Sequence, residues 1–496
     1  MKKLIILTIS LLMIINIFAR NIVDEMKSKV PEIKSNVENL NLKWIPGTNE
    51  GFYSFFERFD GVTLEDVNKR LAAYKELPDA IKEKLLNHFK TLNSFPGGKI
   101  LPDELVTTDD RIMSSLIMIK PENISDKTFY RLEPIRDQYL HGSCWAFSTA
   151  GMMESDYAVQ VLGETTDGNK NNLVDFSERW AAYHNIDWDV YFYSNYEIVQ
   201  DRNSLEGGLV YFSSYNMIRY GMIEEKYAPY SDVFLTDEEQ IPLPPQAYGA
   251  PRYKANKTIM IPDAISSKEL GYTYDDYINM IKTALKNYGS LAVSYFVPDD
   301  FYSYTKGIYT PTVSPSGGHA VTLVGWVAAE DLDDVVLAEK INPEATPILE
   351  TEVSSYTYYD PTVEATYTAD LFWIVKNSWG YNWGDGGYFV IPAITKEAYD
   401  NPKKDEDGNY IIQWWNINSR PMYALVFDSE AKHNTVDLDI NGDGTVNLDD
   451  FKALVNKVGS TDADDISKCD IGYPKDGKIT GDDVSTWIYL YNKSKE

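Results

Sequence analysis

Cysteine is almost missing from this 496-residue chain, which holds only Cys144 and Cys469. A dense disulfide framework is therefore excluded, and stability has to come from packing and bound ions. Cationic residues are also few. There are 46 Lys and Arg against 75 Asp and Glu, and a net charge of −29 argues against nucleic acid or an anionic membrane surface as partner. Beyond the first residues no apolar run is long enough to cross a bilayer, so no membrane span is expected in the mature chain. Histidine is scarce as well, at five residues, so each can be weighed individually as a base.

What is present is a chain rich in core-forming residues. It is 44% hydrophobic with 36 tyrosines, enough for several packed domains. It opens MKKLIILTISLLMIINIFA, with Lys2 and Lys3 before an apolar run and Ala19 as a small residue for cleavage. Residues 1–19 read as a secretory signal, which predicts an exported, extracellular protein; an uncleaved signal acting as an anchor is the alternative. Residues 20–100 are charged and helix-biased. LEDVNKRLAAYKELPDAIKEKLLNHFKTL predicts two amphipathic helices broken at Pro78. Residues 101–428 form the largest zone. Helical patterns at 144–162 and 209–220 precede the strand-like runs SLAVSYFV, GHAVTLVGWV, DLFWIVKNSWG and GYFVI, an order that predicts an α+β domain with two lobes. An acidic, Tyr- and Thr-rich stretch between Trp326 and Leu371 reads as a surface excursion between two strands. Residues 429–496 form a small Asp-rich module.

The stretch HGSCWAFSTAG carries Cys144 behind a Gly-Ser turn and at the start of a helical pattern. A buried small hydrophobe, half of a disulfide, a metal ligand and a nucleophile are the four readings of such a residue. A nucleophile needs a lowered pKa, a base and donors for an oxyanion. A helix N-terminus favours thiolate. Among the histidines, His319 in SGGHAVTLVGW begins a buried-type strand after two glycines, so its ring can enter a cleft from a rigid support. Asn377 in WIVKNSWG can orient that ring by accepting from one nitrogen, and Trp379 can shield the bond. Gln138 can donate to an oxyanion beside the Cys144 N–H.

QYLHGSCWAFS, GGHAVTLVGW and KNSWGYNWGDGGYFVI resemble the three signature blocks of papain-like cysteine peptidases, in that family's order Gln, Cys, His, Asn. LVDFSERW and LEGGLVYFSSYNMIRYGMIEEKYAPY resemble two further blocks. The resemblance spans residues 101–428 and implies a helical left lobe and a β-barrel-like right lobe with the cleft between them. It implies that Cys144 attacks as a thiolate paired with His319, with Gln138 in the oxyanion hole. It also implies a groove bordered by Gly207 and Gly208, with Leu209 and Ala320 reading the substrate. NLKWIPGTNEGFYSFFERFDGVTLEDV and LPDELV resemble the propeptide and mature start of cathepsin-B-like members, as does IRDQ at 135–138. A propeptide in the cleft is one reading of residues 20–100, and a permanently attached helical accessory domain is the other. The sequence departs from the family where a structural cysteine pair is usual; His141 and Leu205 stand there, and Glu206 adjoins the groove. No His-His occluding segment is present, so endopeptidase action is expected.

In the acidic module, DINGDGTVNLDD places Asp439, Asn441, Asp443, Thr445, Asn447 and Asp450 at the oxygen positions of a calcium loop, with Gly444 at its sharp turn. A second copy, DIGYPKDGKITGDD, carries two extra residues before Asp476 and offers Asp470, Asp476, Lys478 and Asp483. Paired loop-and-helix units resemble type I dockerins, a small all-α module, which implies bound Ca2+ and a cohesin-bearing partner in a secreted or cell-surface assembly. A calcium-stabilised tail without a partner is the alternative. For the whole chain, the contrasting expectation is a catalytically silent homologue acting as a calcium-dependent binding or adhesion protein. In a third reading the module assembles the protein and the peptidase only trims its partners.

Overall fold

A computed structural model of the chain describes residues 27–49, 116–139, 141–163, 174–184, 208–230, 243, 247, 250–339, 341–427, 438–471 and 477–493. Residues 1–19, the 64–92 helical pattern, Leu205, Glu206, Gly207 and Asp476 lie outside them. In chain order the elements that build the site are a helix at 27–39 (α1), β1 (Trp44–Pro46), β2 (Leu116–Ile117), β3 (Phe129–Tyr130), α2 (Cys144–Tyr157), α3 (Glu178–Tyr183), α4 (Val210–Arg219) and β4 (Lys257–Ile261). Then follow α5 (Tyr274–Asn287), β5 (Leu291–Pro298), β6 (Tyr304–Gly307), β7 (Pro315–Ala328), β8 (Tyr356–Asp360), β9 (Ala365–Ala369), β10 (Leu371–Lys376), β11 (Tyr388–Pro392) and β12 (Met422–Val426).

An eight-stranded sheet in the order β11-β10-β7-β5-β12-β4-β2, with β3 also on β7, carries the β-lobe. Its long strand β7 pairs antiparallel with both β5 and β10, which sets His319 opposite Tyr295 and Lys376 opposite Thr322. Val, Ile, Trp and Phe fill these strands with little alternation, as strands covered on both faces require. α5 covers part of the sheet. Thr273 and Asp276 close a capping box at its start, and Asp275 and Asp276 complement its dipole.

α2 is buried on nearly all sides, from Trp145 through Asp156. Such a helix has no solvent face and sits between layers. One side packs into a helical core with Phe176, Trp180, Tyr211, Met217 and Met222; the other lies on β7, where Ser148 Oγ donates to the Val321 carbonyl at 2.6 Å. The β-lobe has its own aromatic core with Trp326, Trp373, Trp383 and Phe389. The expected division into two lobes is therefore present, with the nucleophile helix at their boundary.

The described part of the N-terminal zone is not helical throughout. Within its described part, α1 gives way to β1, which pairs with β6 of the β-lobe. The pattern around Trp44 is short and apolar, and a neighbouring sheet edge satisfies its backbone. The acidic excursion joins the adjacent strands β7 and β10 and contains the hairpin β8–β9. It packs back onto the β-lobe: Tyr356 lies against Phe372, and the buried Asp360 accepts from Gln413 Nε2 and Trp415 Nε1 at 2.7 and 2.8 Å.

The C-terminal module holds α6 (Leu448–Val455), α7 (Ala463–Cys469) and α8 (Gly481–Lys493) around Leu454, Cys469, Ile471, Ile479 and Trp487. Both cysteines are free thiols, so no covalent staple links the zones.

Candidate active site

Cys144 is the first residue of α2, and its residue surface is partly open. The backbone N–H groups of Ala320, Trp145 and Cys144 itself point to its sulfur and favour thiolate, yet burial pushes the thiol up to about 11. This reverses the direction expected from the helix N-terminus alone. Loss of hydration on burial outweighs three amide dipoles. The contact with the Ala320 backbone brings the strand that carries His319 against the thiol.

His319 Nε2 lies 2.7 Å from Asn377 Oδ1. That oxygen also accepts the Ser378 N–H at 2.8 Å, which identifies it as the carbonyl end of the amide. Nε2 must therefore carry the proton, and Nδ1 keeps its lone pair for a base role. Burial pulls the imidazole down to about 4, while the Asn377 bond draws it upward. Each charge alone is disfavoured in this site. Trp379 lies over the His319 ring at 4.7 Å and 26°, covering the bond to Asn377. On its other side Trp379 is stacked by Tyr302 at 5.1 Å and 7°.

The amide of Gln138, the expected oxyanion donor, is already engaged. Nε2 donates to the His141 carbonyl at 2.7 Å, and Oε1 accepts from Ser378 Oγ. One amide hydrogen remains for a substrate oxygen. The Gln138 backbone N–H donates to the Ser378 carbonyl at 2.8 Å, so the turn before the nucleophile is tied to the strand end carrying Asn377. Tyr230 reinforces the turn. Its hydroxyl pairs with Ser143 Oγ at 2.6 Å and reaches the Gln138 carbonyl at 3.2 Å. His141, standing where relatives keep a structural cysteine, meets the Tyr230 ring edge-on at 6.4 Å. Ser378, Tyr230 and Tyr302 were not singled out from sequence. Each acts across long chain separations, and only the terminal Tyr of the KYAPY block offered a signal.

The substrate-facing candidates are partly brought together. Gly208 lies so close to the Trp145 indole that a Cβ would stand 2.4 Å from the ring, which explains glycine there. Leu209 is half-buried at the start of α4, and Ala320 is buried beside the thiol. A small cavity between α2 and β7 is lined by Arg136, Glu154, Glu178 and Lys376 together with Phe147, Ala320, Val321 and Asn377. Lys376 is paired at 3.1 Å with the buried Glu133.

In the module, the loop curls around Asp439. Its carboxylate accepts N–H bonds from Gly442, Asp443 and Gly444 at 2.7–3.0 Å. Asp450 accepts from Asn441 and Asn447 at 3.1 and 2.8 Å. The second loop repeats the plan: Asp470 accepts from Gly477, and Asp483 from Ile471 and Thr480. Asp443 accepts from Thr445, and Lys478 follows Gly477 at an exposed position. Among the described residues no three acidic, His or Cys side chains are gathered as a metal cluster. The donor set is nevertheless all oxygen, the chemistry a hard cation such as Ca2+ requires.

Comparison with known proteins adds independent observations. The chain is 26% identical over 387 residues to falcipain-2b of Plasmodium falciparum, covering 75% of this chain and 64% of that one. It is 27% identical over 354 residues to falcipain-2a, covering 69% and 57%. It thus spans less than two thirds of these relatives' length. A cathepsin B-like cysteine proteinase of Caenorhabditis elegans is 23% identical over 53% of this chain and 67% of its own. Among solved structures, procathepsin L 3 of the Tenebrio molitor larval midgut aligns with a TM-score of 0.44 and 15% identity, covering 83% of this chain and 91% of that one. The family model described as "Papain family cysteine protease" matches residues 121–401, which take in Cys144, His319 and Asn377 with their supports, and the chain belongs to that family.

Proposed function

We propose that this chain is a secreted cysteine endopeptidase that hydrolyses peptide bonds in protein substrates. The observation that carries the reading is the oriented base: His319 held through Nε2 by Asn377 at 2.7 Å under Trp379, on the strand whose Ala320 N–H meets the thiol at the head of α2. Cys144 Sγ passes its proton to His319 Nδ1 and attacks the scissile carbonyl carbon. The oxygen develops negative charge against the Cys144 N–H and the remaining Gln138 amide hydrogen. As the C–N bond breaks, His319 returns the proton to the leaving amine, and a thioester on Cys144 remains. His319 then takes a proton from water, whose oxygen attacks the thioester. The acid product departs and the thiol is restored, with one water consumed per bond cut.

The apolar N-terminal run and the strong negative charge support export, and IRDQ and LPDELV support a cathepsin-B-like member made as a precursor. The duplicated loop-and-helix plan supports a dockerin-like module that takes Ca2+ through Asp439, Asn441, Asp443, Thr445, Asn447 and Asp450 in one loop and through Asp470, Asp476, the backbone carbonyl of Lys478 and Asp483 in the other. Such a module would dock to a cohesin-bearing partner. Ca2+ supplies charge neutralisation and cross-linking of the loop, while the helices α6 and α8 present the docking face.

The test of the enzyme reading is hydrolysis of fluorogenic peptides between about pH 4 and 8 by the processed protein and by Cys144→Ala. Cleavage by wild type alone supports it; no cleavage, with equal labelling of both proteins by a thiol-reactive peptide probe, favours the silent homologue. For the module, cohesin capture that disappears on chelation supports docking, and failure across a cohesin panel favours a calcium-stabilised tail.

A further inference from the structure

Ser143 precedes the nucleophile helix and occupies its N-cap position, yet its side chain makes no capping bond. A capping serine is extended and accepts from the second or third N–H of the helix, here Trp145 or Ala146. Ser143 instead has φ −97° and ψ 14°, and its carbonyl already takes the Ala146 N–H at 2.8 Å. Of those two donors only Trp145 is left for a cap to capture, and its N–H points to the Cys144 sulfur. A serine that leaves its helix uncapped forgoes a stabilising bond. Here the forgone bond would compete with the thiol for one hydrogen.

The Ser143 hydroxyl is held by Tyr230. The phenol, 4% exposed, meets Ser143 Oγ at 2.6 Å and reaches the Gln138 carbonyl at 3.2 Å. Tyr230 is itself fixed twice. Its ring stands edge-on to Phe147 at 4.7 Å and 88°, and its N–H donates to Glu225 Oε1 at 2.6 Å. Phe147 belongs to α2, so the phenol is set against the same helix whose end stays uncapped. No disulfide ties this turn, since both cysteines are free thiols and His141 and Leu205 stand at the places of the usual pair.

We propose that Tyr230 is a positioning residue, which withholds Ser143 from capping α2 and so keeps the Trp145 N–H on the Cys144 sulfur. Capture of that N–H by Ser143 Oγ would strip the thiolate of a charge-assisted hydrogen bond. Burial already disfavours the thiolate, so each remaining donor counts. The same phenol, through the Gln138 carbonyl, steadies the turn that carries the Gln138 amide. The withheld cap stands without the peptidase reading; its importance for peptide hydrolysis rests on that reading.

The test is the rate at which iodoacetamide alkylates Cys144 at neutral pH, read by mass spectrometry of the Cys144 peptide and normalised to the folded fraction. It needs no substrate. Tyr230→Phe keeps the ring against Phe147 and removes the hydroxyl, and it should slow alkylation about tenfold, the worth of one hydrogen bond to a charged group. Ser143→Ala cannot cap and should stay within about twofold of wild type. Tyr230→Phe with Ser143→Ala restores no bond of the tyrosine, yet it should return to within about twofold of wild type, because nothing is left to capture the Trp145 N–H. A merely structural tyrosine cannot give that rescue. Unchanged alkylation in Tyr230→Phe, or a loss that persists in the double variant, would overturn the proposal. A loss of about tenfold in Ser143→Ala alone would overturn it too. If the variants behave as expected and wild type cleaves no peptide, the positioning role stands and the peptidase reading fails. If wild type cleaves peptides while alkylation is unmoved in Tyr230→Phe, the positioning role fails and the peptidase reading stands.

Discussion

Replacing Asn377 with alanine removes the acceptor that holds the His319 ring. Two bonds are lost, from His319 Nε2 at 2.7 Å and from the Ser378 N–H at 2.8 Å, while the Asn377 backbone N–H keeps its bond to the Gly387 carbonyl. The first matters most for rate, because it strengthens as the imidazole charges. A hydrogen bond to a charged group is worth about 1.5–3 kcal/mol. At about 1.4 kcal/mol per factor of ten, kcat should fall about 10- to 150-fold. KM should stay within about twofold, since Asn377 is buried behind the ring and does not meet ground-state substrate. The sign of the pH effect is also fixed. Burial holds His319 near 4 and the Asn377 bond opposes that pull, so in the variant the imidazole becomes a still weaker base. The assay is hydrolysis of a fluorogenic peptide amide, normalised by thiol titration so that misfolded protein is not counted. A loss of less than about threefold, or a rise in KM that accounts for the whole effect, would refute the orienting role.

Three further outcomes are expected. Lys376→Met strands the buried carboxylate of Glu133, 3.1 Å away, and should destabilise the protein by about 3–5 kcal/mol in denaturant titrations, whereas Lys376→Met with Glu133→Leu should recover most of the loss. Burial raises Glu225 to about 8, above its ordinary 4.5, so the folded state binds an extra proton between those values and the stability it lends is lost as pH rises through that window. Glu225→Gln, which can keep the bond from the Tyr230 N–H, should therefore match wild type near pH 5 and exceed its melting temperature near pH 8. In the module, chelation of Ca2+ should lower the unfolding temperature reported by the buried Trp487, and Asp439→Ala should abolish that calcium response.

The chemistry was legible because it sits in contiguous blocks. Cys144, His319 and Asn377 each lie in a run whose neighbours define an element end, so a short window reveals both the residue and its support. The division into two lobes followed from helical patterns preceding strand patterns. What escaped the sequence acts at long separation. Tyr230 reaches Ser143, Ser378 reaches Gln138, and Asn49 reaches Tyr302 through contacts that no local pattern encodes. The helix-biased reading of the N-terminal zone gives no hint of β1, which spans only Trp44–Pro46 and takes its strand character from β6. The helix N-terminus is visible in sequence, but the desolvation that outweighs it depends on the walls of the cleft.

The central claim is that one thiol, Cys144, carries out peptide hydrolysis. Its most direct test is titration of the active protein with an irreversible thiol-directed peptide inhibitor, with residual hydrolysis and the labelled residue measured on the same samples. Activity should fall linearly to zero at one equivalent, with all label on Cys144 and none on the buried Cys469. Hydrolysis that persists after Cys144 is fully labelled would contradict the account.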